Sequence, residues 1–170
     1  TSPVVIASTA NTPYREGYIG QPVIDTWLRT VDDDGQDTAR GEPGEVLIKG
    51  PQVMQGYWQR ADETANSFTA DGWLKTGDVG VIDEEGFLKL VDRKKDMILV
   101  SGFNVYPNDV EDAVMRHPGI RECVAVGVPD ERTGEAIRLY VSLHDQQLDA
   151  AAIIAHCRQE LTGYKVPKQV

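Results

Sequence analysis

The chain has 170 residues, a formal net charge of −10 and an apolar content of 41%, which is typical of a globular protein with one domain or two small ones. Its acidity argues against general binding to nucleic acid or to an anionic membrane surface, because both need a basic face. No apolar run approaches the ~18 residues that a membrane span requires.

Before residue 92 the predicted elements are mostly strands. Alternating apolar residues predict four strands, over residues 26–31, 45–49, 79–83 and 87–92. The stretch from Asp62 to Phe68 is the one predicted helix, with Asp62 as its N-cap and Asp71-Gly72 as its end. The residues Glu84-Glu85-Gly86 predict a hairpin in which the glycine adopts a positive φ.

A change in charge predicts a domain boundary near residue 92. Residues 1–91 carry 7 basic and 15 acidic side chains, whereas residues 92–170 carry 10 and 12. Beyond the boundary we predict a helix from Pro107 to Pro118-Gly119 and another from about Asp149 to Leu161. Strands are predicted over residues 97–100, 123–128 and 136–143. The predicted fold class is α+β.

The two cysteines and three histidines offer little chemistry. Cys123 and Cys157 match neither a metal-ligand spacing nor a disulfide framework, so we expect a reducing, cytoplasmic compartment and two buried apolar groups. His117, His144 and His156 stand far apart, and structural roles are predicted for all three. We expect no metal-binding residues, and the chain has no phosphate-loop motif and no nucleophile elbow.

Two other places favour function. At Thr76–Asp78 the residues by themselves favour a simple turn, although a carboxylate here would also suit the two hydroxyls of a ribose. At Arg93–Lys95, ahead of an apolar strand and the Ser101–Phe103 loop, a solvated face and a site for an anionic nucleotide are equally favoured. Within this loop, Gly102 would let a ligand approach the backbone closely.

Both places belong to a series of motifs that resembles the adenylate-forming enzymes, a superfamily that includes acyl-CoA synthetases, firefly luciferase and the adenylation domains of nonribosomal peptide synthetases. The main motifs are Gly72–Asp78, Gly86–Leu88, Asp92–Asp96, Ser101–Pro107 and Val110-Glu111. Supporting similarity covers residues 19–22, 41–45, 50–54, 56–58 and 163–167. The string from Asp92 to Pro107 is most similar to bacterial long-chain fatty acid CoA ligases.

The resemblance implies a two-step reaction on two domains. A carboxylate attacks ATP to give an acyl-adenylate and pyrophosphate, and the CoA thiol then displaces AMP, with catalysis by positioning and cationic stabilisation. Residues 1–92 would be the β-rich end of a large AMP-binding domain. Residues 93–170 would be an incomplete, mobile α+β C-terminal domain that rotates between the two steps about a hinge at residues 92–96.

Site residues are carried over from the same resemblance. Asp78 matches the aspartate that binds the ribose hydroxyls of ATP and AMP, and Arg93 matches the arginine that also contacts the ribose. Lys95 falls at the hinge position, and Ser101, Gly102 and Phe103 match the loop that lines the pantetheine tunnel for CoA. Some relatives have a lysine at the position of Leu99, which we expect to be a core residue without a catalytic role.

Other elements of the family are expected outside these residues. The chain begins at Thr1, with neither an initiator Met nor a leader pattern, and it stops at Val170. We therefore expect a processed chain or a piece of a longer protein. The phosphate loop and the glutamate that helps bind Mg²⁺ would lie upstream, and the adenylation lysine downstream. Lys165 and Lys168 do not match that lysine, so we assign no catalytic residue within the chain and expect it to be inactive alone.

The resemblance therefore implies a parent enzyme, an ATP-dependent long-chain fatty acid CoA ligase. Its substrates would be a fatty acid, ATP and CoA, and this chain would contact the rest of its own N-terminal domain. A peripheral contact with the inner face of the membrane and a homodimer are further expectations. Two alternatives stay open: another adenylate-former, such as an aryl- or medium-chain CoA ligase or a fatty acyl-AMP ligase, and a non-catalytic binding domain that kept the fold.

Overall fold

The computed structural model describes residues 2–8, 12–144 and 148–170. The chain divides into two compact units, Thr1–Lys94 and Lys95–Val170. Both units combine antiparallel sheet with helix, so the predicted α+β fold class is confirmed. Among the described residues, no helix has the length and apolar content needed to cross a bilayer.

The first unit is built on a four-stranded sheet. Its strands are β3 (Trp27–Val31), β4 (Pro43–Lys49), β5 (Leu74–Ile82) and β6 (Leu88–Arg93), and a separate pair is formed by β1 (Ile6–Ala7) and β2 (Gln21–Pro22). The four strands are antiparallel and lie in the order β3-β4-β5-β6. The core of this unit is a cluster of aliphatic side chains: Val46, Ile48, Leu74, Ile82 and Leu88.

The hairpin between β5 and β6 forms as predicted. Gly86 has a φ of +84°. One carboxylate oxygen of Asp83 accepts hydrogen bonds from the amides of Glu85 (3.0 Å) and Phe87 (2.8 Å). These bonds are local, so the turn residues alone determine this connection.

The helix of the first unit, α1 (Ala61–Ser67), differs from the prediction at both ends. Asp62 is not the N-cap: Arg60 holds that position without a side-chain cap, and Asp62 lies in the first turn, where its charge suits the helix dipole. The helix ends at Ser67, one residue before the predicted Phe68, because Phe68 forms a β-bridge to the first residue of β5.

The second unit combines an antiparallel sheet with two helices. Its elements are β7 (Ile98–Val100), β8 (Phe103–Val105), α2 (Pro107–Met115), β9 (Ile120–Asp130), β10 (Gly134–Leu143) and α3 (Ala150–Glu160). The strand order is β8-β7-β10-β9, and α2 packs against β9 and α3. Side chains from all six elements form one buried core.

Both predicted helices of the second unit are confirmed, with ends shifted by a few residues. Pro107 is the first residue of α2, which ends at Met115 rather than at Pro118-Gly119. The side chain of Asp149 caps α3 by accepting a hydrogen bond from the amide of Ala152 at 2.8 Å. Pro at the start of one helix and Asp before the other are favoured for the same reason, since the first helical amides lack partners within the helix.

One prediction for β7 is wrong, and the predicted loop after it holds only in part. Leu99 is not a core residue: it is 46% exposed, whereas Ile98 and Val100 are buried, because successive side chains of a strand point to opposite faces of the sheet. The predicted loop at Ser101–Phe103 is a tight hairpin, since Phe103 already pairs with Val100 at the start of β8.

Candidate functional site

A bulge in β5 sets the position of Asp78. The register of β5 on β4 shifts opposite Val46, so that three residues of β5, Thr76–Asp78, face this single residue. In the middle of the bulge, Gly77 has a φ of +72°, a conformation that favours glycine. The turn favoured by the local residues is therefore a bulge within a strand, a feature that re-aims side chains next to functional sites.

The hydroxyl of Thr76 bridges this bulge. It donates a hydrogen bond to the carbonyl oxygen of Val46 at 2.7 Å and accepts one from the amide of Asp78 at 3.0 Å. Sequence reasoning missed this role of Thr76. The available indication was a hydroxyl residue two positions before Asp78, because Ser and Thr side chains commonly bond to nearby backbone groups.

Asp78 and Arg93 lie side by side on β5 and β6. They are directly paired in the register, and Arg93 Nη1 lies 2.9 Å from Asp78 Oδ1. The side chain of Asp78 is 28% exposed and that of Arg93 60% exposed, so both remain accessible to a ligand. The structure thus brings together the two residues that were expected to contact a nucleotide.

The Asp78–Arg93 pair lines a cleft of the first unit with a volume of about 460 Å³. Its polar lining includes Lys75 and Thr76 beside the pair. The apolar lining includes Ile6, Met54, Leu74, Leu88 and Leu90. A mostly apolar cleft with a few convergent polar groups is the usual form of a small-molecule site.

The basic cluster that follows β6 is divided among different partners. Lys94 Nζ lies 3.0 Å from Glu45 and 3.2 Å from Asp33. Burial disfavours the charged form of Lys94, but the hydrogen bonds to Glu45 and Asp33 outweigh this effect and hold its pKa above the ordinary value. Lys95 is exposed and forms no ion pair with any described residue. Lys94 therefore belongs to neither a solvated face nor a nucleotide site.

The other candidate residues lie at the tip of the β7–β8 hairpin. Ser101 (φ +53°) and Gly102 (φ +83°) are both left-handed, as a two-residue type I′ turn requires. Together with Phe103 they are exposed. A Cβ atom on Gly102 would meet no atom within 4 Å, so the tip is open to an approaching ligand.

Two contacts support this hairpin tip. The amide of Ser101 donates to the carbonyl oxygen of Thr133 at 2.8 Å. The ring of Phe103 stacks on Tyr164, with 4.7 Å between the ring centroids. No role was predicted for Thr133 or Tyr164, because each acts through a contact with a distant part of the chain.

The loop that contains Thr133 is itself held by Lys168. Lys168 Nζ lies 2.9 Å from Asp130 and donates to the Thr133 hydroxyl at 3.1 Å. The hydrogen bonds from Lys168 and then from Thr133 hold the pKa of Asp130 well below its ordinary value. Lys165 is likewise paired, with Asp109 at 2.6 Å. Both lysines therefore form ion pairs with carboxylates of the same unit.

The cysteines and histidines do not form a reactive site. Burial, and to a lesser degree Glu111, raises the pKa of the Cys123 thiol to about 11, and burial also raises that of Cys157. Although far apart in the sequence, His117 and His156 meet edge to face, with 5.1 Å between the ring centroids. The described residues include no group of three or more His, Cys, Asp or Glu that could hold a metal ion.

Two family models match the chain. The model of the AMP-binding enzymes matches residues 1–58, and the model of the AMP-binding enzyme C-terminal domain matches residues 109–170. The Asp78–Arg93 pair and the hairpin tip lie between these two ranges. The family resemblance of these two places therefore rests on the longer matches with individual proteins.

Curated relatives match nearly the whole chain. It is 56% identical over 99% of its length to a long-chain-fatty-acid–CoA ligase of Salmonella typhimurium, and 43% identical over 98% to one of Bacillus subtilis. A sulfoacetate–CoA ligase of Cupriavidus necator is 42% identical over 91% of the chain. The chain spans about 30% of the length of each of these relatives.

Solved structures show the same architecture. ATP-bound MatB from Rhodopseudomonas palustris matches with a TM-score of 0.90 and 31% identity, over 98% of this chain and 34% of that one. An o-succinylbenzoate CoA synthetase of Bacillus subtilis in complex with its acyl-adenylate matches with a TM-score of 0.80 and 36% identity, over 91% and 32%.

Proposed function

Since the chain belongs to the AMP-binding enzymes of the adenylate-forming superfamily, we propose that it is part of an ATP-dependent long-chain fatty acid CoA ligase. In this reaction the fatty acid carboxylate attacks ATP, releasing pyrophosphate, and the CoA thiol then displaces AMP from the acyl-adenylate. The observation that carries the proposal is the accessible Asp78–Arg93 pair on the wall of the cleft. The identity of the relatives supports a fatty acid as the substrate.

Asp78 binds the ribose of ATP in this proposal. One of its oxygens contacts Arg93, and a carboxylate offers about four lone-pair sites, so it can also accept hydrogen bonds from both ribose hydroxyls. Arg93 pairs with the carboxylate and reaches the ribose with its remaining donors, because a guanidinium has five N–H groups in a rigid plane.

In this proposal, the residues that bind the ATP phosphates and the adenylation lysine lie in other parts of the parent enzyme. Lys94, Lys165 and Lys168 each pair with a carboxylate of this chain, which leaves them unsuited to bind a transferred phosphoryl group. The described residues show no matching set of ligands for Mg²⁺, and no role in holding it is proposed for them.

Lys95 is the proposed hinge between the units. The division between the units falls between Lys94 and Lys95. On one side of it, Lys94 is tied to the first unit through Glu45 and Asp33, whereas Lys95 has no such anchor. A backbone rotation at Lys95 would therefore break no ion pair of its own side chain.

The hinge is tested by substitution of Lys95 with proline in the full-length enzyme. Proline fixes φ near −65° and should prevent the rotation, so adenylate formation should persist while thioester formation collapses. Lys95→Ala is the matched control, since it removes the charge but leaves the backbone free. Equal loss of both half-reactions in Lys95→Pro would contradict a hinge at this residue.

The tip formed by Ser101, Gly102 and Phe103 is the proposed contact for CoA. Open space around Gly102 would admit the thin pantetheine chain. Gly102→Leu in the full-length enzyme should raise the KM for CoA and spare pyrophosphate exchange, because the added side chain fills that space. Gly35→Leu is the matched control, because Gly35 also has a positive φ (+78°) and no neighbours within 4 Å but lies in the first unit. A normal KM for CoA in Gly102→Leu would refute the assignment.

The nucleotide site is tested by Asp78→Ala in the same enzyme. Loss of hydrogen bonds of about 1–3 kcal/mol should raise the KM for ATP roughly 5- to 150-fold in fatty-acid-dependent pyrophosphate exchange. Asp34→Ala, at an exposed turn residue, should leave the KM unchanged. An unaltered KM for ATP in Asp78→Ala would overturn the nucleotide role.

Comparison of palmitate with sulfoacetate and benzoate as substrates of the full-length enzyme tests the substrate class. A preference for either short acid would contradict a long-chain fatty acid as the substrate.

A further inference from the structure

We propose that Thr76 is the positioning residue of the nucleotide site, and that its hydroxyl fixes the bulge that presents Asp78 to the ribose. This inference rests on the proposed function of Asp78. It extends that function to a residue whose hydroxyl is engaged by the backbone on both sides and therefore acts on the ligand through the position of Asp78.

Thr76 joins the bulged part of β5 to the neighbouring strand β4. Its hydroxyl donates to the carbonyl oxygen of Val46, a residue that is 3% exposed and belongs to β4, between β3 and β5. The same hydroxyl accepts the amide proton of Asp78. The backbone of Asp78 is therefore connected through one oxygen atom to the core of the unit.

The bulge has no regular pairing with β4 to fix its conformation. Gly77 has no side chain, and a Cβ atom there would meet nothing within 4 Å. On the opposite side of β5 the register with β6 also shifts, between Val79 and Gly80. The side chain of Asp78 forms an exposed ion pair with Arg93, and such pairs contribute little rigidity.

Recognition of the ribose requires a carboxylate that is held in a fixed position. An aspartate distinguishes a ribose from a deoxyribose only if both of its oxygens are held at hydrogen-bond distance from the hydroxyls, which is a matter of about 0.5 Å. A free bulge would let the carboxylate move beyond this range. Loss of the Thr76 hydroxyl should therefore weaken discrimination among sugars in addition to overall stability.

The experiment compares Thr76→Val, Thr76→Ser and Asp78→Ala in the full-length enzyme. Valine has nearly the shape of threonine without its hydroxyl, whereas serine retains the hydroxyl. The readout is the ratio of kcat/KM for ATP to that for 2′-deoxyATP and 3′-deoxyATP in fatty-acid-dependent pyrophosphate exchange. The wild type and Thr76→Ser should prefer ATP, and Thr76→Val should lose about tenfold of this preference.

Thr38→Val is the matched control for loss of a threonine hydroxyl, in the connection between β3 and β4 of the same unit. Its hydroxyl also bonds to the backbone and to Thr30, but Thr38 does not line the cleft. It should lower stability without changing the preference for ATP. If Thr76→Val yields too little folded enzyme, Thr76→Ala provides the same comparison.

The outcomes separate this proposal from the proposed function. If Asp78→Ala loses the preference and Thr76→Val keeps it, Thr76 is not a positioning residue, although Asp78 still binds the ribose. If Thr76→Val lowers the activity with all three nucleotides equally, as a stability defect would, the proposal is also overturned. If Asp78→Ala itself keeps the full preference, the ribose role of Asp78 fails, and the role of Thr76 fails with it.

Discussion

Replacing Tyr164 with leucine is expected to loosen the hairpin tip of the second unit. In the wild-type chain the rings of Tyr164 and Phe103 are stacked, with 4.7 Å between centroids and 19° between planes. Tyr164 lies in a short 3₁₀ turn, Gly163–Lys165, that follows α3. The stack therefore joins the turn after α3 to the β7–β8 hairpin. Its loss should leave the hydrogen bond from the Ser101 amide to the carbonyl oxygen of Thr133 as the main remaining support of the tip.

The magnitude follows from the geometry and the exposure of the two rings. Stacked aromatic pairs contribute about 0.5–1.5 kcal/mol beyond the burial of their surface. Phe103 is 54% exposed and Tyr164 37% exposed, so part of each ring faces water. We therefore expect a coupling free energy in the lower part of this range, ~0.5–1 kcal/mol. A double-mutant cycle of Phe103→Leu, Tyr164→Leu and the double variant isolates this term.

Urea unfolding followed by far-ultraviolet circular dichroism measures the cycle. Tryptophan fluorescence in the same titration is an internal control, because all three tryptophans, Trp27, Trp58 and Trp73, lie in the first unit and their transition should not shift. Tyr140→Leu, at a tyrosine that is 57% exposed, measures the effect of removing a ring from the surface of the sheet. A coupling of zero within error would refute the view that the stack supports the tip.

Three further predictions concern local interactions of the second unit. Asp149→Ala should lower the free energy of unfolding by about 1 kcal/mol through loss of the α3 cap, whereas Asp149→Asn should retain most of it in the same urea titration. Cys123, with a thiol pKa of about 11, should resist alkylation by iodoacetamide at neutral pH and react once urea unfolds the chain; rapid alkylation of the native chain would contradict the raised pKa of this half-buried thiol. Asp130, whose pKa is lowered mainly by Lys168, should stabilise the fold above about pH 4, its unfolded pKa, and lose this contribution as the pH falls below that value. Asp130→Asn should therefore be less stable than the wild type at neutral pH and approach it in acid, and a constant difference across this range would argue against the ion pair.

Elements whose determinants are adjacent in the sequence were predictable. The Asp83–Gly86 turn and the Asp149 cap each rest on hydrogen bonds between residues no more than four positions apart, so the local residues contain the necessary information. Leu99 was mispredicted because adjacent residues do not determine its environment. A short run of apolar residues does not reveal whether one face of its sheet is open, and here Leu99 lies on the open face.

Adjacent residues with the same chemistry can have opposite environments. Lys94 and Lys95 are indistinguishable in any local pattern, yet Lys94 is held by Glu45 and Asp33 and Lys95 is exposed. The partners of Lys94 lie 49 and 61 positions earlier in the chain, and only the sheet brings them together. The resemblance to a family predicted Asp78 and Arg93 as site residues, but it could not predict their contact or the role of Thr76, which depends on Val46.

The irregular register is what makes the Asp78–Arg93 pair. Gly80 pairs with Leu90, and a regular antiparallel ladder continued from there would place Asp92 opposite Asp78. Two carboxylates facing each other across a pair of strands would repel and destabilise the sheet. The shift between Val79 and Gly80 moves β6 by one residue, so that Arg93 faces Asp78 instead. Because the bulge at Thr76–Asp78 frees this part of β5 from regular pairing with β4, the shift is accommodated there. The two irregularities together replace a repulsive contact with the attractive pair that lines the cleft.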